Sequence, residues 1–112
     1  MRASEQDAEE LYRLQAEFCK GMAHPKRIFI LTVLEGGEKT VNELAEATRI
    51  PQPNLSQHLS LMRQTGIVKT RRLGANVYYA TADHQIVQAC ELVRKAIEQR
   101  VGRDRAALGS DT

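Results

Sequence analysis

Residues 51–68 read Pro-Gln-Pro-Asn-Leu-Ser-Gln-His-Leu-Ser-Leu-Met-Arg-Gln-Thr-Gly-Ile-Val, and the spacing allows one local structure. Leu55, Leu59 and Met62 recur at steps of four and three, which lays a single apolar line along a helix. Pro53 fits only the first turn, where a missing amide proton costs nothing, so the helix begins near Gln52. Gly66 ends it, since glycine adopts the left-handed cap conformation cheaply.

The opposite side of this helix carries Gln52, Asn54, Ser56, Gln57, Ser60 and Gln64. An ordinary solvated face would carry Glu and Lys. Amides can bond a base edge through two atoms at once, and hydroxyls can serve phosphate or base. The face therefore suits a DNA major groove; a polar surface helix without a partner is the plainer alternative.

Context favours DNA. Upstream, Thr40-Val41-Asn42-Glu43 has the spacing of a reciprocal capping box, which opens a short helix over residues 41–48. Arg49-Ile50-Pro51 then turns into the amide-rich helix, giving a helix-turn-helix unit with the second helix as reader. Downstream, residues 67–72 and 76–80 alternate in character around Leu73-Gly74-Ala75, the pattern of a β-hairpin with a basic tip. Directly after a reader helix, such a hairpin is a wing whose Arg71 or Arg72 reaches phosphate or the minor groove.

Net charge is only +2 over 112 residues, but residues 47–82 hold five cations (Arg49, Arg63, Lys69, Arg71, Arg72) and no Asp or Glu. Such segregation is the footprint of a polyanion-binding surface. The candidate DNA contacts are Gln52, Pro53, Asn54, Ser56, Gln57, His58, Ser60 and Arg63 from the helix, with Lys69, Arg71, Arg72 and Asn76 from the hairpin. His58 lies between the apolar line and the polar face, so it either packs or contacts DNA.

The flanking segments supply the rest of the core. Residues 4–22 read as a helix with Leu11, Leu14, Phe18 and Met22 in its stripe and Tyr12, Gln15 and Cys19 along one margin. A second helix starts at His24-Pro25 and ends before Gly36-Gly37; Ile28, Phe29, Ile30, Leu31, Val33 and Leu34 leave it hardly any polar side, which places it in the middle of the fold. From Ala82 to about Arg103 a last helix aligns Ile86, Cys90, Val93, Ile97 and Val101. A small chain gains from burial against a partner, and the stripes of the first and last helices predict a symmetric dimer.

The expected fold is mainly α, of the α+β type. It is a winged helix-turn-helix with five helices and a two-stranded hairpin wing, dimeric through its first and last helices. Residues 1–103 form one domain and 104–112 a flexible tail. No run of about 18 apolar residues is present, and the acidic start lacks a signal-peptide core. A cytoplasmic protein without membrane contact is expected, in which Cys19 and Cys90 are thiols by default.

The ordered motifs His24-Pro25-Lys26-Arg27-Ile28-Phe29-Ile30-Leu31, Val41-Asn42-Glu43-Leu44-Ala45, Ser56-Gln57-His58-Leu59 with Arg63, Gly66-Ile67-Val68 and Val77-Tyr78-Tyr79 resemble the ArsR/SmtB family of bacterial and archaeal transcription repressors. The resemblance spans roughly residues 18–83. It implies a dimeric repressor on a palindromic, double-stranded DNA operator, released by an inducer. One metal-sensing pattern of that family needs two cysteines on the third helix, where Ala45 and Ala47 stand. Another uses the last helix, where Asp83 is present but Gln85, Ala96 and Gln99 replace the remaining ligands. No metal site and no cofactor are therefore expected. Asp83 reads as a helix cap instead, and His84 as a solvated residue.

Cys19 and Cys90 both fall on the proposed dimer seams. They are either small core residues or a thiol switch worked by oxidation, persulfide or arsenite. The family's persulfide sensors draw their cysteines from the second helix and from farther along the last one, a different placement. An enzyme is not indicated: there is no phosphate-binding glycine loop, no HExxH and no close carboxylate pair. The rival reading is a winged-helix module that binds protein only.

Overall fold

The computed structural model describes residues 4–109, with side chains described as far as residue 106. Its elements are α1 (Glu5–Met22), α2 (Pro25–Leu34), β1 (Lys39–Thr40), α3 (Val41–Thr48), α4 (Gln52–Gln64), β2 (Val68–Leu73), β3 (Asn76–Thr81) and α5 (His84–Gly109). They fall into two compact units, one up to Ala82 and the other, essentially α5, from Asp83. Among the described residues no helix is long and apolar enough to cross a membrane.

In the first unit the helix ends are set by local chemistry. Ser4 and Asp7 cap α1 reciprocally, and the same box between Thr40 and Glu43 opens α3. Each satisfies two backbone donors that a helix start leaves unpaired. At the end of α4, Ile67 N–H donates to Met62 C=O (2.8 Å) and Gly66 N–H to Arg63 C=O (3.1 Å). With Gly66 at φ 78°, this is a Schellman motif, and the buried Ile67 supplies its usual apolar contact.

The core gathers Ile30, Leu31 and Leu34 from α2, Leu44 from α3, Ile50 from the turn, Leu55, Leu59 and Met62 from α4, and Ile67 and Val68 beyond it. Ile50, 5% exposed, pins the helix-turn-helix corner. Arg49 before it takes the left-handed conformation at φ 59°, and the Thr48 hydroxyl donates to Leu44 C=O while accepting from Ile50 N–H.

Four features differ from the sequence reading. The sheet has three antiparallel strands in the order β1-β3-β2, because Lys39 and Thr40 pair with Tyr79 and Tyr78; a two-residue strand is too short to show period-two alternation. Leu73 belongs to β2, opposite Asn76, which leaves a two-residue turn led by Gly74 at φ 62°. Next, α2 is not enclosed all round: Ile28 and Phe29 are 40% and 45% exposed, since neighbours cover only its other faces.

The fourth is α5, which continues to Gly109 where a tail was expected from residue 104. Residues 103–108 are mostly good helix formers, and Gly102 in mid-helix costs only about 1 kcal/mol. Residues 110–112 lie outside the described residues. At its start Asp83 accepts a hydrogen bond from Gln85 N–H (2.8 Å), the N-cap geometry expected of it.

Candidate nucleic-acid interface

The buried line of Leu55, Leu59 and Met62 fixes the rotation of α4. That leaves Gln52, Pro53, Asn54, Ser56, Gln57, Ser60, Arg63 and Gln64 exposed. No carboxylate lies on the helix, so its outward side offers amide and hydroxyl donors and acceptors with one cation near the C-terminal end. Gln52 is held from the preceding helix: its side-chain amide donates to Asn42 Oδ1 at 2.9 Å. Asn42 is a residue the sequence reading did not single out; its place in α3 gave no sign of a partner ten residues on.

His58 is set apart from this face. It is half-buried, its ring lies 4.6 Å from that of His24 at an interplanar angle of 59°, and its Nδ1 accepts a hydrogen bond from Arg27 Nε (3.3 Å). Arg27 in turn donates to Gly21 C=O (3.0 Å). The middle of the reader helix is thus tied through the His58 imidazole to Arg27 of α2, and through Arg27 to the end of α1. Burial first, then the positive neighbours His24, Arg27 and Lys26, lower the pKa of His58 below its ordinary value of 6.5.

One consequence is a pH dependence of stability. The folded chain favours neutral His58, so as pH falls the unfolded chain takes up a proton first. Stability is expected to hold above about pH 6.5 and to decline as the pH falls through the lowered value. Thermal unfolding from pH 8 to 5 checks this, and His58→Gln, which cannot titrate, should flatten that part of the profile. An identical decline in the variant would locate the effect elsewhere.

The hairpin presents two unlike faces, because successive residues on a strand point oppositely. The register pairs Arg71 with Tyr78, Lys69 with Ala80 and Arg72 with Val77, while Tyr78 also pairs with Thr40. Lys69 and Arg71 therefore share a face with Tyr78 and Thr40, and Arg72 lies on the other. The arginines that the sequence offered as equivalents are distinct. Arg71 is engaged by Glu38, whereas Arg72, exposed near the tip, makes no ion pair among the described residues. Lys69 and Asn76 are exposed as well. Cys19 is exposed on α1, Cys90 is half-buried on α5, and neither is in a disulfide.

Two helices joined by a three-residue turn, with a basic antiparallel hairpin after the second, define a winged helix-turn-helix regulator. Comparisons with known proteins say which kind. The family described as bacterial regulatory protein, arsR family, matches residues 24–70. The HTH-type transcriptional regulator Rv0081 of Mycobacterium tuberculosis is 39% identical over 106 residues, 94% of this chain and 92% of that protein. Its crystal structure superimposes with a TM-score of 0.74, covering 86% of this chain and 96% of the other.

The homodimeric winged helix-turn-helix DNA-binding domain Mb0332 of Mycobacterium bovis gives 0.76 at 27% identity, covering 88% and 92%. The transcriptional repressor BigR of Xylella fastidiosa gives 0.71 at 31% identity, covering 84% and 96%. The chain belongs to the arsR family of transcription regulators, which are DNA-binding proteins and not enzymes.

Proposed function

We propose that this protein represses transcription as a homodimer that lays its two α4 helices into successive major grooves of a palindromic operator and is released by an inducer. The observation that carries the reading is the outward side of α4, an exposed surface of amides and hydroxyls without a carboxylate. Gln52, Asn54, Gln57 and Ser60 face base edges, Ser56 and Arg63 reach the flanking backbone, and Pro53 lets the helix start close to the groove. Lys69, Arg71, Arg72 and Asn76 carry the wing contact. His58 acts behind the surface, fixing the helix through Arg27. Homodimeric Mb0332 and the repressor BigR support the assembly and the direction of control.

Release is assigned to the thiols. Cys19 is exposed, so a soluble oxidant, persulfide or arsenite meets it readily. Cys90 lies on the helix expected to pair with its counterpart. A change at either alters the packing that sets the spacing of the two readers, which must match about one turn of DNA, roughly 34 Å.

One titration tests both parts. Binding to a palindromic duplex selected from random sequence should weaken steeply with salt, by a log–log slope of about −0.9 for each phosphate neutralised. Arsenite, persulfide or oxidant should then release the wild type but not Cys19→Ser or Cys90→Ser. A protein that binds no duplex at low salt is a protein-docking module instead; release that survives both substitutions leaves the repressor and removes the thiol switch.

A further inference from the structure

Arg71, a wing cation in the reading just given, is already occupied. Its Nε donates to Glu38 Oε2 at 2.8 Å and its NH2 group donates to the other carboxylate oxygen. These two parallel donors form the fork with which a guanidinium also grips a phosphate. Glu38 stands two residues before Thr40, which pairs with Tyr78, the partner of Arg71. The short strand β1 thus delivers a carboxylate across β3 onto the wing. The Arg71 guanidinium also lies over the Tyr78 ring, 5.3 Å from its centroid, a contact that does not need Glu38.

We infer that Glu38 competes with DNA phosphate for Arg71: it holds the wing guanidinium in the free protein, yields it on binding, and thereby weakens the grip of the wing. This rests on the DNA-binding reading above. The pair is open to exchange, because the side chains of Arg71 and Glu38 are 54% and 34% exposed, and an ion pair in contact with water is weak. The two non-bridging oxygens of a DNA phosphate can accept the same pair of donors, with the field of a whole polyanion behind them. Once displaced, the Glu38 carboxylate remains beside Lys69 and Arg71, and that field repels it. Lys69 and Arg71 both act on Glu38 already, holding its carboxyl below the usual range, with the Arg71 hydrogen bond the larger cause. Glu38 is therefore a positioning residue that tunes affinity downward.

The test uses the full chain and a mixed-sequence duplex of about 30 base pairs, long enough for two half-sites one turn apart. Non-specific binding depends on phosphate contacts alone, so no operator is needed. Wild type, Glu38→Gln, Arg71→Gln and the double variant are titrated at several salt concentrations. Glu38→Gln is expected to bind about fivefold more tightly at low salt, with a slope steeper by up to about 0.9 per subunit. In the Arg71→Gln background the same substitution should change little, since its effect passes through Arg71.

Three results overturn the inference while leaving DNA binding intact: unchanged affinity in Glu38→Gln; weaker binding, which would make Glu38 a support for Arg71; or equal tightening in both backgrounds, which would reflect net charge alone. Absence of binding by every protein overturns the DNA-binding reading and this inference with it.

Discussion

Replacing Val93 and Ile97 together by aspartate is expected to split the proposed homodimer and to weaken binding to a palindromic duplex by about 10²–10⁴-fold. Val93, Ile97 and Val101 follow one another at four-residue steps on α5 and are 60%, 52% and 41% exposed, with Leu92 67% exposed beside them. Leu11, Tyr12 and Leu14 of α1 are 62%, 67% and 49% exposed. Exposed apolar residues scattered singly need no explanation, but aligned on a helix they mark a surface meant for a partner. In the proposed homodimer a second copy of the chain supplies it symmetrically.

Full burial of a Val or Ile side chain contributes about 1.5–3 kcal/mol, and an unpaired carboxylate in its place reverses the sign. Both side chains are more than half exposed, and surface substitutions of this kind leave the subunit folded. DNA affinity then falls because two half-sites can no longer be held at once. Sedimentation and a DNA titration check the two halves of the claim. A variant that remains dimeric moves the interface elsewhere, and a monomer that binds as well as wild type removes the two-groove reading.

The second large effect lies inside the first unit. Leu59→Ala is expected to destabilise the fold by about 2–5 kcal/mol, a large part of the roughly 5–15 kcal/mol that holds a domain of this kind together. Leu59 is fully buried between Leu55 and Met62, on the line that sets which side of α4 faces outward. Its truncation leaves a cavity that a packed core closes only in part. Ser60→Ala, one residue on and exposed, should change stability by no more than about 0.5 kcal/mol while still reducing DNA affinity. Urea unfolding at a fixed protein concentration separates the two, since dimer formation makes stability concentration-dependent. Equal stability of both variants would mean that α4 is not held by this line.

Much of this was legible along the chain. Pro53 and Gly66 bound α4, Leu55, Leu59 and Met62 name its inward side, Thr40 and Glu43 open α3, and Gly74 turns the hairpin. Each depends on residues within one or two helical turns or across a tight turn, where spacing dictates geometry. What waited for the tertiary structure are contacts between residues far apart in sequence. Glu38 takes Arg71 from 33 residues away, and Arg27 takes His58 from 31. The strand β1 exists only because β3 returns beside it, and Ile28 and Phe29 stay uncovered because only other elements could cover them. Periodicity reports which way a side chain points from its own helix or strand. What it meets there is fixed when distant segments pack, and so two arginines adjacent in sequence end on opposite faces of the wing, one paired and one without an ion pair among the described residues.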